Sequence, residues 1–129
     1  MNRTTLRWII AILTIVTALI HLSLAFLLIR NPQNQSLGYL FIANGISYLV
    51  LLWIYLRPPA FLAGYANMVS YIFIAFVLVT IIGYFALNGM ALFQPGHTID
   101  LIAKIDEVLL VIALFLDRRQ AALAPAIKS

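Results

Sequence analysis

The sequence predicts an all-α integral membrane protein, folded as an antiparallel bundle of four transmembrane helices. Two observations lead to this class. The 129 residues are 64% hydrophobic and only 9% charged, whereas soluble domains are about half apolar and about a quarter charged. The apolar residues also fall into four long runs with short polar breaks between them. A chain of this length has too little interior to bury so many apolar residues in water, so we expect lipid to surround them.

Each of the four runs approaches or exceeds the roughly 20 residues that cross a bilayer at about 1.5 Å per residue. They cover residues 6–29, 37–56, 61–87 and 99–116, which form one transmembrane domain over residues 1–129 with a short cytoplasmic tail at 117–129. The break Arg57-Pro58-Pro59 is so short that the second and third helices should form an antiparallel hairpin. Beyond the fourth run we expect a short helical turn that Pro125 ends.

Lysine and arginine are distributed unequally between the two ends of the predicted helices. Cytoplasmic loops of membrane proteins are enriched in these residues. If the N-terminus is inside, the outer loops hold only Arg30, and the cytoplasmic side holds Arg3, Arg7, Arg57, Arg118, Arg119 and Lys128. Both termini are therefore predicted to be cytoplasmic, in a multi-pass protein of the plasma membrane or, in a bacterium, of the inner membrane.

Charged side chains inside a membrane are costly, so those present usually face protein, water or a partner. The fourth predicted helix is the richest in them. At about 100° per residue, Asp100, Lys104 and Glu107 share one face of this helix. His97, just before the helix, points the same way, so His97 and Asp100 form the outer end of the stripe. Asp106 projects about 100° away from Glu107 and needs a partner of its own.

Polar residues on the other helices lie at the same depth as this acidic pair. His21, Asn44 and Thr80 are seven or eight residues in from the outer boundary, about 10–12 Å deep. For Asn44 and Thr80, simple packing contacts between helices are the favoured interpretation, whereas carboxylates at this depth are functional by default. The predicted intramembrane cluster consists of His21, Asn44, Thr80, Lys104, Asp106 and Glu107.

Several classes of function are excluded or disfavoured. The absence of cysteine excludes disulfides and thiolate metal sites. We find no catalytic motif and loops too short for a catalytic domain, so an enzyme is not expected and no catalytic residue is predicted. The net charge of +4 is attributed to topology, so nucleic acid is not an expected partner. No metal site or cofactor is predicted, because ligation of a pigment or haem by His21 has no further support in the sequence.

Three functions stay open at this stage. The first is a small non-catalytic subunit or assembly partner of a larger membrane complex, which would bind other membrane subunits or further copies of this chain. The tiny loops and the intramembrane charges that need partners favour it. The second is a component of a proton- or ion-coupled transporter or channel. In it Glu107 and Asp106 would be the titrating groups, His21 would relay protons, and Lys104 would adjust the titration of the two carboxyl groups. The third is a pigment- or quinone-binding membrane protein.

Overall fold

The computed structural model describes the backbone of residues 1–128 and the side chains of residues 1–124. Four α-helices make up most of it: α1 (Arg3–Ile29), α2 (Gln35–Leu56), α3 (Ala66–Asn88) and α4 (Thr98–Lys128). Short 3-10 turns connect them at Pro32–Asn34, Ala60–Tyr65 and Ala91–Phe93. The described residues contain no strand. The predicted all-α class is confirmed.

Three segments are long and apolar enough to cross a membrane, namely Arg3–Ile29, Pro32–Leu56 and Ala60–Asn88. Their length and composition are those of helices that span a membrane. α4 is not among them, because it carries all four acidic residues of the chain as well as Lys104. Whether α4 crosses the membrane depends on where those charges point.

The helices alternate in direction. Near the start of α2, Gly38 lies against the backbone of Ala25 near the end of α1. At the opposite end of the bundle, the Arg7 guanidinium near the start of α1 donates to the carbonyl oxygens of Tyr55 and Leu56 at 3.1 Å. These carbonyls end α2, where they have no partner within the helix. The start of α1 therefore lies beside the end of α2.

α1 and α2 pack closely because small residues face each other along their seam. Ala11, Ala18 and Ala25 are buried at seven-residue intervals on α1, and Gly45 is buried on α2. A Cβ atom placed on Gly45 would come within 2.8 Å of the Leu22 side chain and 3.2 Å of the Ala18 carbonyl oxygen. Small residues allow this approach of two backbones, which is typical of helix pairs in lipid.

The faces of α4 are inverted relative to those of a helix in a soluble protein. Its buried face carries the charged side chains of Lys104, Asp106, Glu107 and Asp117. Its exposed face is apolar over more than four turns and consists of Ile99, Ile102, Ile105, Val108, Leu109, Ile112, Phe115 and Leu116. A helix in water would show the opposite pattern.

The end of α4 differs from the sequence prediction. The helical turn expected beyond residue 116 is present, but it does not end at Pro125 and continues to Lys128. Asp117 is buried against α1 and α2, so packing continues beyond the apolar run. The tail expected at 117–129 is therefore helical through residue 128. α3 also begins later than expected, because residues 60–65 form a 3-10 turn.

Candidate functional site

Glu107 of α4 is the centre of the polar interior and has no exposed surface. Its Oε2 accepts a hydrogen bond from Lys104 Nζ at 2.6 Å. Its Oε1 accepts one from the Tyr48 hydroxyl of α2 at 3.3 Å, and His21 Nε2 of α1 lies 3.7 Å from the same oxygen. We call His21, Tyr48, Lys104 and Glu107 the histidine centre. Three helices contribute to it, so it forms only when the bundle has folded.

The contacts of His21 determine which of its nitrogens carries a proton. Nδ1 lies 2.9 Å from the carbonyl oxygen of Thr17. A carbonyl oxygen only accepts, so Nδ1 must be the donor. In a neutral imidazole Nε2 is then an acceptor, and it faces Oε1 of Glu107, a second acceptor, at 3.7 Å. The histidine centre has room for one more proton between these two atoms.

Asp106 has the separate partner that the sequence argument required. Its carboxylate accepts a hydrogen bond from the Thr17 hydroxyl, and both side chains are buried. The carbonyl oxygen of Thr17 accepts the bond from His21. One residue of α1 thus links Asp106 to the histidine centre.

A row of titratable side chains leads from the α3–α4 connection towards Glu107. Asp100 Oδ2 lies 2.9 Å from His97 Nδ1 and accepts from the Tyr84 hydroxyl at 3.2 Å. The Lys104 ammonium lies 5.0 Å from the centre of the Tyr84 ring, within cation–π range. The side chains of His97 and Asp100 are 37% and 27% exposed. The row therefore reaches the surface at this end of the bundle.

Of the two remaining predicted residues, Thr80 lies beside the Tyr48 side chain at the edge of the histidine centre, whereas Asn44 makes no hydrogen bond to it. The Thr80 hydroxyl donates to the carbonyl oxygen of Phe76 in its own helix at 2.9 Å. Asn44 is half-buried, and its side chain makes no hydrogen bond within the described part of the chain. Depth alone placed Asn44 in the cluster, but depth along a helix does not determine the direction in which a side chain points. The residue of α2 that faces Glu107 is Tyr48, one turn further along.

A second buried polar group was not predicted. Asp117 accepts hydrogen bonds from Arg3 Nε at 3.0 Å, from Arg3 Nη2 at 3.3 Å and from the Tyr55 hydroxyl. We call Arg3, Tyr55 and Asp117 the arginine centre. Tyr55 follows Tyr48 by seven residues on α2, and this spacing was the available signal. It went unused because Asp117 was assigned to a short helical turn of the cytoplasmic tail, outside the bundle.

The surroundings of Asp117 favour its ionised form. Burial by itself opposes ionisation, but the hydrogen bonds from Arg3 and Tyr55 outweigh burial, and the pKa of this carboxyl lies below its ordinary value. Asp117 lies beyond the apolar run of α4, at the end of the bundle where Arg3 is half-exposed. The arginine centre is therefore an ion pair whose members bind each other and stay charged.

Apolar side chains fill the space between the two centres. Ile10, Phe73, Leu110 and Leu114 are fully buried, and Leu52 is nearly so. Glu107 and Asp117 are ten residues apart on α4, about 15 Å along its axis. The row of titratable groups that begins at His97 therefore ends at the histidine centre.

Comparison with known proteins gives no relative: no protein-family model, no curated protein and no solved structure matches the chain. Among the described residues there is no group of three or more histidine, cysteine or acidic side chains placed to hold a metal ion. The function must be argued from the site itself.

Proposed function

We propose that all four helices cross the membrane, with both termini cytoplasmic, and that the histidine centre binds and releases a proton. The chain would then be a component of a proton-coupled transporter or channel. The observation that carries the proposal is the distance of 3.7 Å between two buried atoms, His21 Nε2 and Glu107 Oε1, with His21 Nδ1 bonded to the Thr17 carbonyl oxygen. In a neutral imidazole both of the facing atoms are acceptors.

The inverted faces of α4 support its placement in the bilayer. The apolar run of residues 99–116 is about 27 Å long, close to the thickness of the hydrocarbon core. Its charged side chains point into the bundle, and its exposed side chains are those that lipid solvates. The excess of arginine at the end that holds Arg3, Arg57 and Arg118 supports a cytoplasmic location for that end.

Single-cysteine labelling tests the topology, because the chain has no cysteine of its own. In intact cells, Gln33→Cys and Gln94→Cys should react with a membrane-impermeant maleimide. Ala60→Cys and Ala122→Cys should react only after the membrane is opened. Labelling of Ala122→Cys from outside would mean that α4 does not cross.

The chemistry of the histidine centre suits reversible proton binding. Histidine is the side chain whose ordinary pKa lies nearest neutral pH. A proton added at Nε2 would convert the pair of facing acceptors into a charge-assisted hydrogen bond. Glu107 would then be shared between His21 and Lys104, so the added charge weakens the hold on the Lys104 ammonium. The nearest alternative contacts for that ammonium are Tyr84 and, one turn away, Asp100.

We propose that a proton can reach the histidine centre from the outer end of the bundle only. The row formed by His97, Asp100, Tyr84 and Lys104 connects it to the outer end. The apolar layer around Phe73 and Leu110 blocks the other direction. A proton would enter from outside, and its release inwards would require the helices to shift, as alternating access requires.

Proton movement in liposomes tests this function. The full chain is reconstituted with a pH-sensitive dye inside and a pH step is applied outside. We expect acidification that is lost in Glu107→Gln and in His21→Gln. The matched control is Asn44→Ala, which lies at the same depth without contacting the centre, and it should behave as wild type. Equal flux in Glu107→Gln and wild type would refute the proposal.

Assembly with other membrane subunits, which the sequence favoured, loses one of its supports. The charges that were expected to need an external partner have partners within the chain: Lys104 with Glu107, Asp106 with Thr17, and Asp117 with Arg3. This function now rests on the small loops alone. Co-purification in a mild detergent tests it, and it fails if the chain runs alone at native expression.

A further inference from the structure

A basic groove of about 330 Å³ lies beside the arginine centre, where α1 and α3 begin and α2 ends. Its lining includes the charged and polar residues Arg3, Arg7, Asn67, Ser70, Asp117 and Arg118. Three guanidinium groups face one carboxylate, so the lining carries a net charge of +2, from three positive charges and one negative. Its volume is within the range of small-molecule sites, about 300–1,000 Å³.

Asp117, which is the only carboxylate that lines the groove in the described part of the chain, is already engaged. Asp117 is 3% exposed and accepts two hydrogen bonds from Arg3 and one from Tyr55. Its charge is therefore largely neutralised within the arginine centre and would repel an incoming anion only weakly. The positive charge left in the groove belongs to Arg7 and Arg118.

Arg7 and Arg118 keep donors for a ligand. A guanidinium has five N–H groups. Arg7 uses Nη2 on the carbonyls that end α2, and Arg118 uses Nη1 on the Asn67 side chain at 2.6 Å. Arg118 Nε is buried without a hydrogen-bond partner among the described residues. A buried donor of this kind is costly unless something accepts from it.

We propose that this groove binds a phosphate group through Arg118 and Arg7. Two N–H groups of one guanidinium can bind two oxygens of the same phosphate, whereas a carbonyl group or a water molecule offers only one oxygen. Two sources carry this chemistry, the headgroup of an anionic phospholipid and free inorganic phosphate. If the helices cross the membrane as proposed, the groove lies at headgroup level on the cytoplasmic side, where basic pockets between helices bind anionic lipids.

Two other arginines at the same end provide the contrast. Arg57 and Arg119 are exposed and do not line the groove. They add to the positive charge of this end as ordinary topology signals do. A general attraction to anionic lipid would depend on all of these arginines alike, whereas a site depends on Arg118 and Arg7.

The test compares Arg118→Gln with Arg119→Gln, which remove the same charge from adjacent positions. The full chain is purified in a mild neutral detergent, and its melting temperature is followed during separate titrations. The probes are phosphatidylglycerol, phosphatidylcholine as the neutral control, and sodium phosphate against sodium chloride at equal ionic strength. This measurement does not depend on proton movement, so it can fail while the proposed function holds.

We expect saturable stabilisation by phosphatidylglycerol or by phosphate, with the affinity reduced roughly tenfold or more in Arg118→Gln and unchanged in Arg119→Gln. A response to the lipid alone identifies a headgroup site, and a response to both probes identifies a site for free phosphate. The proposal is overturned if neither phosphatidylglycerol nor phosphate stabilises the protein in a saturable way. It is also overturned if Arg118→Gln and Arg119→Gln lose the same amount of affinity. If Arg118→Gln does not fold, Arg118→Lys replaces it: weakening of about threefold supports the fork, and unchanged affinity overturns it.

Discussion

The two buried polar centres share three parts and differ in one of these, and the histidine centre has Lys104 as a fourth part. Each has a carboxylate of α4, a tyrosine of α2 and a basic residue of α1. In the arginine centre the basic residue is Arg3, which is never deprotonated in proteins. In the histidine centre it is His21, a side chain that can be neutral or protonated. The arginine centre is therefore a fixed ion pair, whereas we propose that the histidine centre binds and releases a proton.

Burial separates the two centres as well. Arg3 is half-exposed, so water solvates one partner of its ion pair. Lys104 and Glu107 have 8% and 0% side-chain exposure, so each depends on the other. Buried ion pairs depend strongly on both partners, because removing one leaves an uncompensated charge. The histidine centre should therefore be the more sensitive of the two to substitution.

The largest effect is expected when Lys104 is removed. Lys104→Met should lower the free energy of unfolding by about 3–5 kcal/mol at neutral pH, because Glu107 is left buried without its ion-pair partner. The measurement is unfolding by titration with a denaturing detergent. The double variant Lys104→Met/Glu107→Gln should recover most of the loss, since it has no buried charge to compensate. A double variant as unstable as the single one would mean that lost packing, and not charge, explains the effect.

The arginine centre should tolerate change better. Asp117→Ala removes an acceptor from Arg3 and from buried Tyr55, which should lower the free energy of unfolding by about 1.5–3 kcal/mol. Asp117→Asn keeps an acceptor for Tyr55 and should cost less. Arg119→Ala, on an exposed side chain of the same helix, should stay within about 0.5 kcal/mol of wild type. If Asp117→Ala lowers the free energy of unfolding more than Lys104→Met does, the histidine centre is not the more sensitive of the two centres.

The α1–α2 seam tests whether close approach of the helices holds the histidine centre together. A methyl group at Gly45 would press on Leu22 and on the Ala18 carbonyl, one turn from His21 and Tyr48. Gly45→Ala should therefore cost about 1–3 kcal/mol of stability in a thermal melt. The control is Gly83→Ala on α3, where nothing lies within 4 Å of the added carbon. Similar melting temperatures for the two variants would show that the seam is not tightly packed.

The smallest effect is the acid response of the arginine centre. Folding lowers the pKa of Asp117, so the folded state binds this proton less readily than the unfolded state. The stabilisation is fully present above the ordinary carboxyl pKa of about 3.9 and is lost as the pH falls below it. Melting temperatures between about pH 3 and 6 should show this fall in wild type and a weaker one in Asp117→Asn. An identical profile in the two proteins would contradict the assignment.

Periodicity and charge predicted much of this arrangement from the sequence. The helical class follows from the apolar runs, and the shared face of Lys104 and Glu107 follows from a spacing of three residues. The prediction of Asn44 rested on depth, which measures position along a helix but not rotation about it. Tyr48 and Thr17 have their roles because of how α2 and α1 are rotated about their axes, and that rotation depends on packing between helices, such as the close contact at Gly45. Asp117 was missed because hydropathy alone ended the transmembrane run at residue 116, and the helical turn beyond it was assigned to the cytoplasmic tail.

The protonation of His21 is the most direct test of the central claim. The chain has only two histidines, so His97→Gln leaves a single imidazole to follow by nitrogen-15 NMR in a phosphatidylcholine bilayer. We predict a neutral ring with the proton on Nδ1 and an unprotonated Nε2, which gains a proton as the pH is lowered. In the added Glu107→Gln background Nε2 should stay unprotonated at the pH values where it is protonated in the presence of Glu107, because no carboxylate remains to pair with it. A proton on Nε2 of the neutral ring, or a spectrum that does not change with pH, would contradict the account.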